Sequence, residues 1–144
     1  MIVKFANFDT IRKQISKYSP TTDASEFWIP LTRGRDYLVC AIAFANNDVH
    51  YFIVDDDALP WPMPYSAAAF EIVDAYMSKS WSFGLSPMNP DYHALLSFRE
   101  WVQDASFYDR LTSGDTDSVA TLRRFLASHD GRSELVQTTE GSET

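Results

Sequence analysis

The run Asp55-Asp56-Asp57 is the first place in this sequence to look for chemistry, because three consecutive carboxylates offer the oxygen ligands that hard cations prefer. A calcium loop, however, spaces its acids at alternating positions and adds a glycine and a terminal glutamate, whereas this triplet runs straight into Ala58-Leu59-Pro60. The ligand set is incomplete, and neither a metal nor another cofactor is expected. His50, His93 and His129 are the three histidines, none in a His-Glu-x-x-His pair, and structural or solvent-exposed roles are expected for all of them. The single cysteine, Cys40, leaves no thiolate zinc site or disulfide within one chain. Its place inside an apolar run makes it a poor nucleophile, because burial raises a thiol pKa. The glycines stand alone at 34, 84, 114, 131 and 141, so there is no glycine-rich phosphate loop, and no Gly-x-Ser-x-Gly elbow is present. Glu71 and Asp74 could join the triplet as a general acid and base flanking a bond, but a chain with twenty acids offers many such pairs. No catalytic residue is assigned.

Recognition fits these residues better than catalysis. The stretch Pro60-Trp61-Pro62-Met63-Pro64 is restrained in φ and places Trp61, Met63 and Tyr65 directly after the acidic triplet. Trp and Tyr are enriched at binding hot spots, and a stiff loop loses little entropy on docking. Asp55, Asp56, Asp57, Trp61, Tyr65, Glu71 and Asp74 therefore form the candidate partner-binding set. Residues 36–78 carry seven acids and no Lys or Arg, whereas residues 1–35 are net basic. A block without cations is unsuited to phosphate backbones, so no nucleic-acid partner is expected; it could attract a basic protein. The competing expectation is plainer: the acids are solvated turn residues, and the aromatics fold back over the sheet.

Several elements must position these groups. Residues 2–8 read as a short strand, and Asp9 or Thr10 as the cap of a surface helix through Tyr18 with Ile11 and Ile15 inward. Phe27-Trp28-Ile29 reads as a short strand ended by Pro30. The apolar run Tyr37–Ala45, the turn Asn46-Asn47-Asp48 and the run Val49–Val54 predict a β-hairpin whose first strand is covered on both faces. The Pro-rich stretch is too poor in N–H donors for a central strand. Residues 65–83 admit either a helix or two strands, Phe70–Val73 and Trp81–Phe83, and two strands are the expectation. Asn89-Pro90-Asp91 reads as a helix start, with Tyr92, Leu95, Leu96, Arg99 and Val102 at helical spacing. A second helix over Phe107–Leu111 stops at Ser113-Gly114, and a third opens at Asp115 or Thr116. The expected fold class is α+β: an antiparallel β-sheet from N-terminal and central strands, packed against C-terminal α-helices. A single domain over residues 1–127 and a flexible polar tail over 128–144 are the expected organisation.

The composition is that of a globular domain, with 144 residues of which 45% are hydrophobic and 15% aromatic. No apolar run approaches the roughly 18 residues a membrane span needs. The N-terminus has no charged leader followed by an apolar stretch, and one thiol in an apolar run suits a reducing compartment, so the expected location is cytoplasmic.

Tyr51-Phe52-Ile53-Val54-Asp55-Asp56, Pro-rich spacing, Phe70-Glu71-Ile72-Val73-Asp74 and Ser78-x-x-Trp81, followed by Phe107-Tyr108-x-x-Leu111, resemble the small bacterial immunity-type proteins found beside polymorphic toxins. The resemblance implies an acidic, cytoplasmic, non-enzymatic protein that binds one toxin domain and blocks it. The expected function is thus an inhibitor that docks a basic toxin domain through an acidic surface containing aromatics. The alternative is a small-molecule binder or enzyme with Glu71, Asp74 and His50 lining a pocket between sheet and helices. The oligomeric state is left open.

Overall fold

The first strand, β1 (Ile2–Phe5), alternates half-buried and buried residues, with Val3 and Phe5 in the core. These positions come from a computed structural model that describes residues 1–19, 27–45 and 47–128. β1 is shorter than its expected span because the chain enters α1 (Phe8–Tyr18) at once. The cap is Asn7 rather than Asp9 or Thr10: its backbone is extended and its side-chain oxygen accepts the Thr10 N–H at 3.3 Å. Asp9 in the first turn and Lys17 in the last complement the helix dipole. Ile11 is buried and Ile15 packs on the core, while Arg12, Lys13 and Lys17 are exposed.

The expected hairpin forms as β2 (Asp36–Ala45) and β3 (Asp48–Ile53), and Asn47 takes the left-handed conformation its turn requires, φ 58°. The remaining elements of the sheet are β4 (Met63–Ser66), a 3₁₀ turn over Ala67–Ala69, β5 (Phe70–Asp74), β6 (Trp81–Leu85) and β7 (Ala94–Phe98). All pairings are antiparallel, and one path runs β4-β3-β2-β1-β5. Because only three residues join β4 to β5, the two ends of that path are held close and the sheet must curl. Its interior is filled by Phe5, Val39, Tyr51, Ile53 and Tyr65, together with Ile11 of the helix.

β2 is long enough to serve two neighbours on the same edge. Asp36–Leu38 pair with β1, and Ala41–Phe44 pair with β7, to which β6 is added. Between these halves lies a bulge: Val39 faces Ile53 and Ala41 faces Phe52, leaving Cys40 as the extra residue. The Cys40 carbonyl is satisfied in the interior by the Ser97 hydroxyl, which donates to it at 2.7 Å.

Three expectations are corrected. Phe27-Trp28-Ile29 is not a strand, because Leu31 N–H closes back on the Ile29 carbonyl at 2.8 Å, a tight turn that cannot join a ladder. The helix expected from Asn89 is instead a turn and a strand. Asn89 Oδ1 does accept the N–H groups of Asp91 (2.8 Å) and Tyr92 (3.3 Å), but in a turn; β7 follows, and only Arg99–Val102 (α2) is helical. Ala94-Leu95-Leu96-Ser97-Phe98 lies between two strands, and four of its five residues are buried, so its apolar residues follow one another without the alternation that marks a half-exposed strand. Thirdly, the stiff loop expected to carry Met63 and Tyr65 gives way to β4, where Pro64 faces Phe52. β4 ends the sheet path, so the expectation that this stretch is unfit for a central strand holds, an edge strand tolerating the missing N–H. Residues 65–83 do contain two strands, β5 and β6.

The fold is α+β, an antiparallel sheet with helices after it. Met1–Ala105 form one unit, and a second begins at Ser106. The second holds α3 (Phe107–Thr112), a turn with Gly114 at φ 81°, and α4 (residues 116–128). Asp115 caps α4 by accepting the Ser118 N–H (3.1 Å) and hydroxyl (2.8 Å), and these bonds hold its carboxyl below the usual range. Residues 129–144 of the expected tail lie outside the described residues. Among the described residues no helix is long and apolar enough to cross a membrane.

Candidate functional site

The three acids after β3 have three different environments. Asp55 Oδ2 accepts the Tyr65 hydroxyl at 2.5 Å, tying the end of β3 to its neighbour β4. Burial first, and the Asp55 carboxylate second, hold the Tyr65 hydroxyl proton far above its ordinary range. The Asp56 carboxylate accepts from Thr32 Oγ1 (2.6 Å), Arg35 (2.9 Å) and Tyr37 (2.9 Å), while its own N–H donates to the Pro30 carbonyl (2.8 Å). The Tyr37 hydroxyl in turn accepts the Thr32 N–H at 2.7 Å. Asp56 is thus the clasp that holds the irregular segment 30–35 to the sheet. Asp57 caps the Ala58 N–H with one oxygen and is exposed. Among the described residues no group of three or more His, Cys, Asp or Glu gathers in a way that could hold a metal ion.

The other candidates divide in the same way. Tyr65 is buried, and Trp61 is half-buried beside the fully buried Pro62. Glu71 and Asp74 are exposed on β5, where Glu71 stands opposite Lys4 and Asp74 accepts the Tyr76 N–H at 2.9 Å. The structure therefore brings Asp55 together with Tyr65 and holds Asp56 in a separate clasp. It leaves Asp57, Glu71 and Asp74 facing solvent. His50 is buried, with Nε2 3.0 Å from Asp48 Oδ2; His93 is exposed, and His129 lies outside the described residues. Cys40 is fully buried, which pushes its thiol up to about 12.

Sequence reasoning passed over the residues between the two exposed acids. Ile72 is 57% exposed and Val73 51%. A second bulge lies beside them: Val3 faces Ile72 and Ile2 faces Asp74, so Val73 is an extra residue, and the inward–outward alternation fails at Val73. β5 has β1 as its one neighbour among the described residues. The consecutive Ile72-Val73 between carboxylates was the available signal, since a half-buried strand should alternate.

No family model matches this sequence, and neither curated proteins nor solved structures give a significant match.

Proposed function

We propose that this chain is a non-enzymatic binding protein, an immunity-type inhibitor that docks a basic toxin domain and blocks it. One observation carries this reading: Ile72 and Val73 stand exposed between the exposed carboxylates of Glu71 and Asp74, on a strand with one neighbour among the described residues. Specific interfaces combine a desolvated apolar centre with a polar rim, and this short segment presents both. The carboxylates lie in a block of 43 residues, 36–78, with seven acids and no Lys or Arg; β1 sets Lys4 opposite Glu71, and the acidic excess of the block would still steer a basic partner into contact. Asp57 adds a further exposed acid. Asp55, Asp56 and Tyr65 serve the reading indirectly, by stiffening the end of the sheet rather than by meeting the partner.

The test is affinity capture from the native lysate beside an Asp57→Lys/Glu71→Lys/Asp74→Lys variant, followed by co-expression of any captured protein with each form. The expected result is a basic protein retained by the wild type, lost by the variant, and toxic to cells unless the wild type is present. Retention and neutralisation by both forms would overturn the acidic surface as the docking site. Absence of any neutralised partner would overturn the inhibitor reading itself.

A further inference from the structure

Among the described residues β6 pairs with β7 alone, and its other edge differs in character from that of β5. Ser86 N–H donates to the His93 carbonyl at 2.7 Å, in the register that pairs Leu85 with Ala94 and Gly84 with Leu95. Hydrogen-bonded pairs alternate along an antiparallel ladder, so Gly84 and Ser82 turn their backbone groups to β7, and Phe83 and Leu85 turn theirs to the other edge. The side chains of these same two residues are 60% and 75% exposed. Native edges are normally blunted by a bulge, a charge or a proline. β5 has the Val73 bulge and two carboxylates, whereas β6 pairs β7 without interruption and holds no charge, proline or bulge.

We infer that a second copy of this chain pairs with β6, edge to edge and antiparallel, about a two-fold axis at Phe83. The sequence Trp81-Ser82-Phe83-Gly84-Leu85 is self-complementary about its centre: Phe83 meets its counterpart, Trp81 meets Leu85, and Ser82 meets Gly84. Apolar residues face apolar ones, small face small, and each Phe83 N–H finds the other Phe83 carbonyl. The same operation on β5, about Ile72, would set Glu71 against Val73 and Asp74 against Phe70, a carboxylate opposite an apolar side chain in both pairs, so that edge lacks the match. The result is a sheet continuous across the dimer, β4-β3-β2-β7-β6 followed by its symmetry mate. This pairing does not depend on the inhibitor reading, and salt distinguishes the two. Self-association of an apolar edge between two chains of net charge −8 strengthens as salt screens their repulsion, whereas docking of a basic partner weakens.

Sedimentation equilibrium across a range of concentrations tests the inference. The expected mass rises from 16.4 kDa towards twice that value, more readily at high salt. Phe83→Lys, which sets two lysines face to face, should raise the dissociation constant at least about tenfold, whereas Ile72→Lys on β5 should not. A Phe83→Cys variant should form a dimeric disulfide under mild oxidation, faster than the equally accessible Ile72→Cys, with the buried Cys40 silent. A monomer at every concentration and salt, or equal cross-linking through positions 72 and 83, would overturn it.

Discussion

The Tyr65 hydroxyl donates to Asp55 Oδ2 at 2.5 Å, so the segment that leaves β3 is bonded through a side chain to the strand that pairs with β3 through its backbone. A hydrogen bond to a charged acceptor contributes more than a neutral one, and here the donor is buried. Tyr65→Phe keeps the ring and removes this bond. It should cost about 1–2 kcal/mol, read from the shift of the urea midpoint at unchanged slope. An unchanged midpoint would show the bond to be no stronger than the water contacts it replaces.

Asp56 and Asp57 are adjacent in sequence and should behave oppositely. Asp56→Ala removes the shared acceptor of Thr32, Arg35 and Tyr37; the exposed Thr32 and Arg35 turn to water while the buried Tyr37 loses a partner, so the change should cost about 1–2 kcal/mol. Asp57→Ala, at an exposed position, should stay within about 0.5 kcal/mol of wild type. Equal losses from the two substitutions would contradict the clasp.

Stability should fall on the alkaline side. Burial raises the Cys40 thiol from 9.0 to about 12, and raises the Tyr37 and Tyr65 hydroxyls as well. A raised folded-state pKa means that the unfolded chain loses the proton first, so stability is fully present below the unfolded value and is lost as pH rises towards the folded one. For Cys40 that window runs from about 9 to about 12, with a slope of about 1.4 kcal/mol per pH unit for one proton. Cys40→Ala should flatten the first part of the decline in denaturant titrations at successive pH values, leaving the tyrosine part. An unaltered slope would mean that the thiol is not the group responsible.

Gly84 is pressed against α2: a Cβ at this position would lie 2.5 Å from Val102 Cγ1. Overpacking of this kind costs about 1–3 kcal/mol, so Gly84→Ala should lower the melting temperature and Val102→Ala in the same chain should restore part of the loss. Strict additivity of the two substitutions would show that the contact is absent in solution.

The hairpin of β2 and β3 was legible in the sequence because its two apolar runs are adjacent and the Asn-rich turn between them has intrinsic left-handed tolerance. Local chemistry was sufficient there, as it was for the helices of the second unit; residues 65–83 admitted either a helix or two strands, and the pairing of β5 with β1 and of β6 with β7 decided for strands. Asn89-Pro90-Asp91 was not decidable locally, because the same Asn oxygen that caps a helix also closes a turn. The open half of the β2 edge, available only once the sheet exists, decided that Ala94–Phe98 became a strand. The candidate site divides along the same line. That residues 36–78 are acidic and cation-free follows from the sequence by itself. Which acids face solvent depended on partners distant along the chain: Tyr65 ten residues from Asp55, and Thr32, Arg35 and Tyr37 about twenty residues from Asp56. The break in alternation at Val73 came from a bulge against β1, nearly seventy residues earlier. Composition determines the charge of the segment; only the folded chain, by setting Lys4 opposite Glu71 and Arg35 on Asp56 and leaving other carboxylates in water, decides where that charge can act.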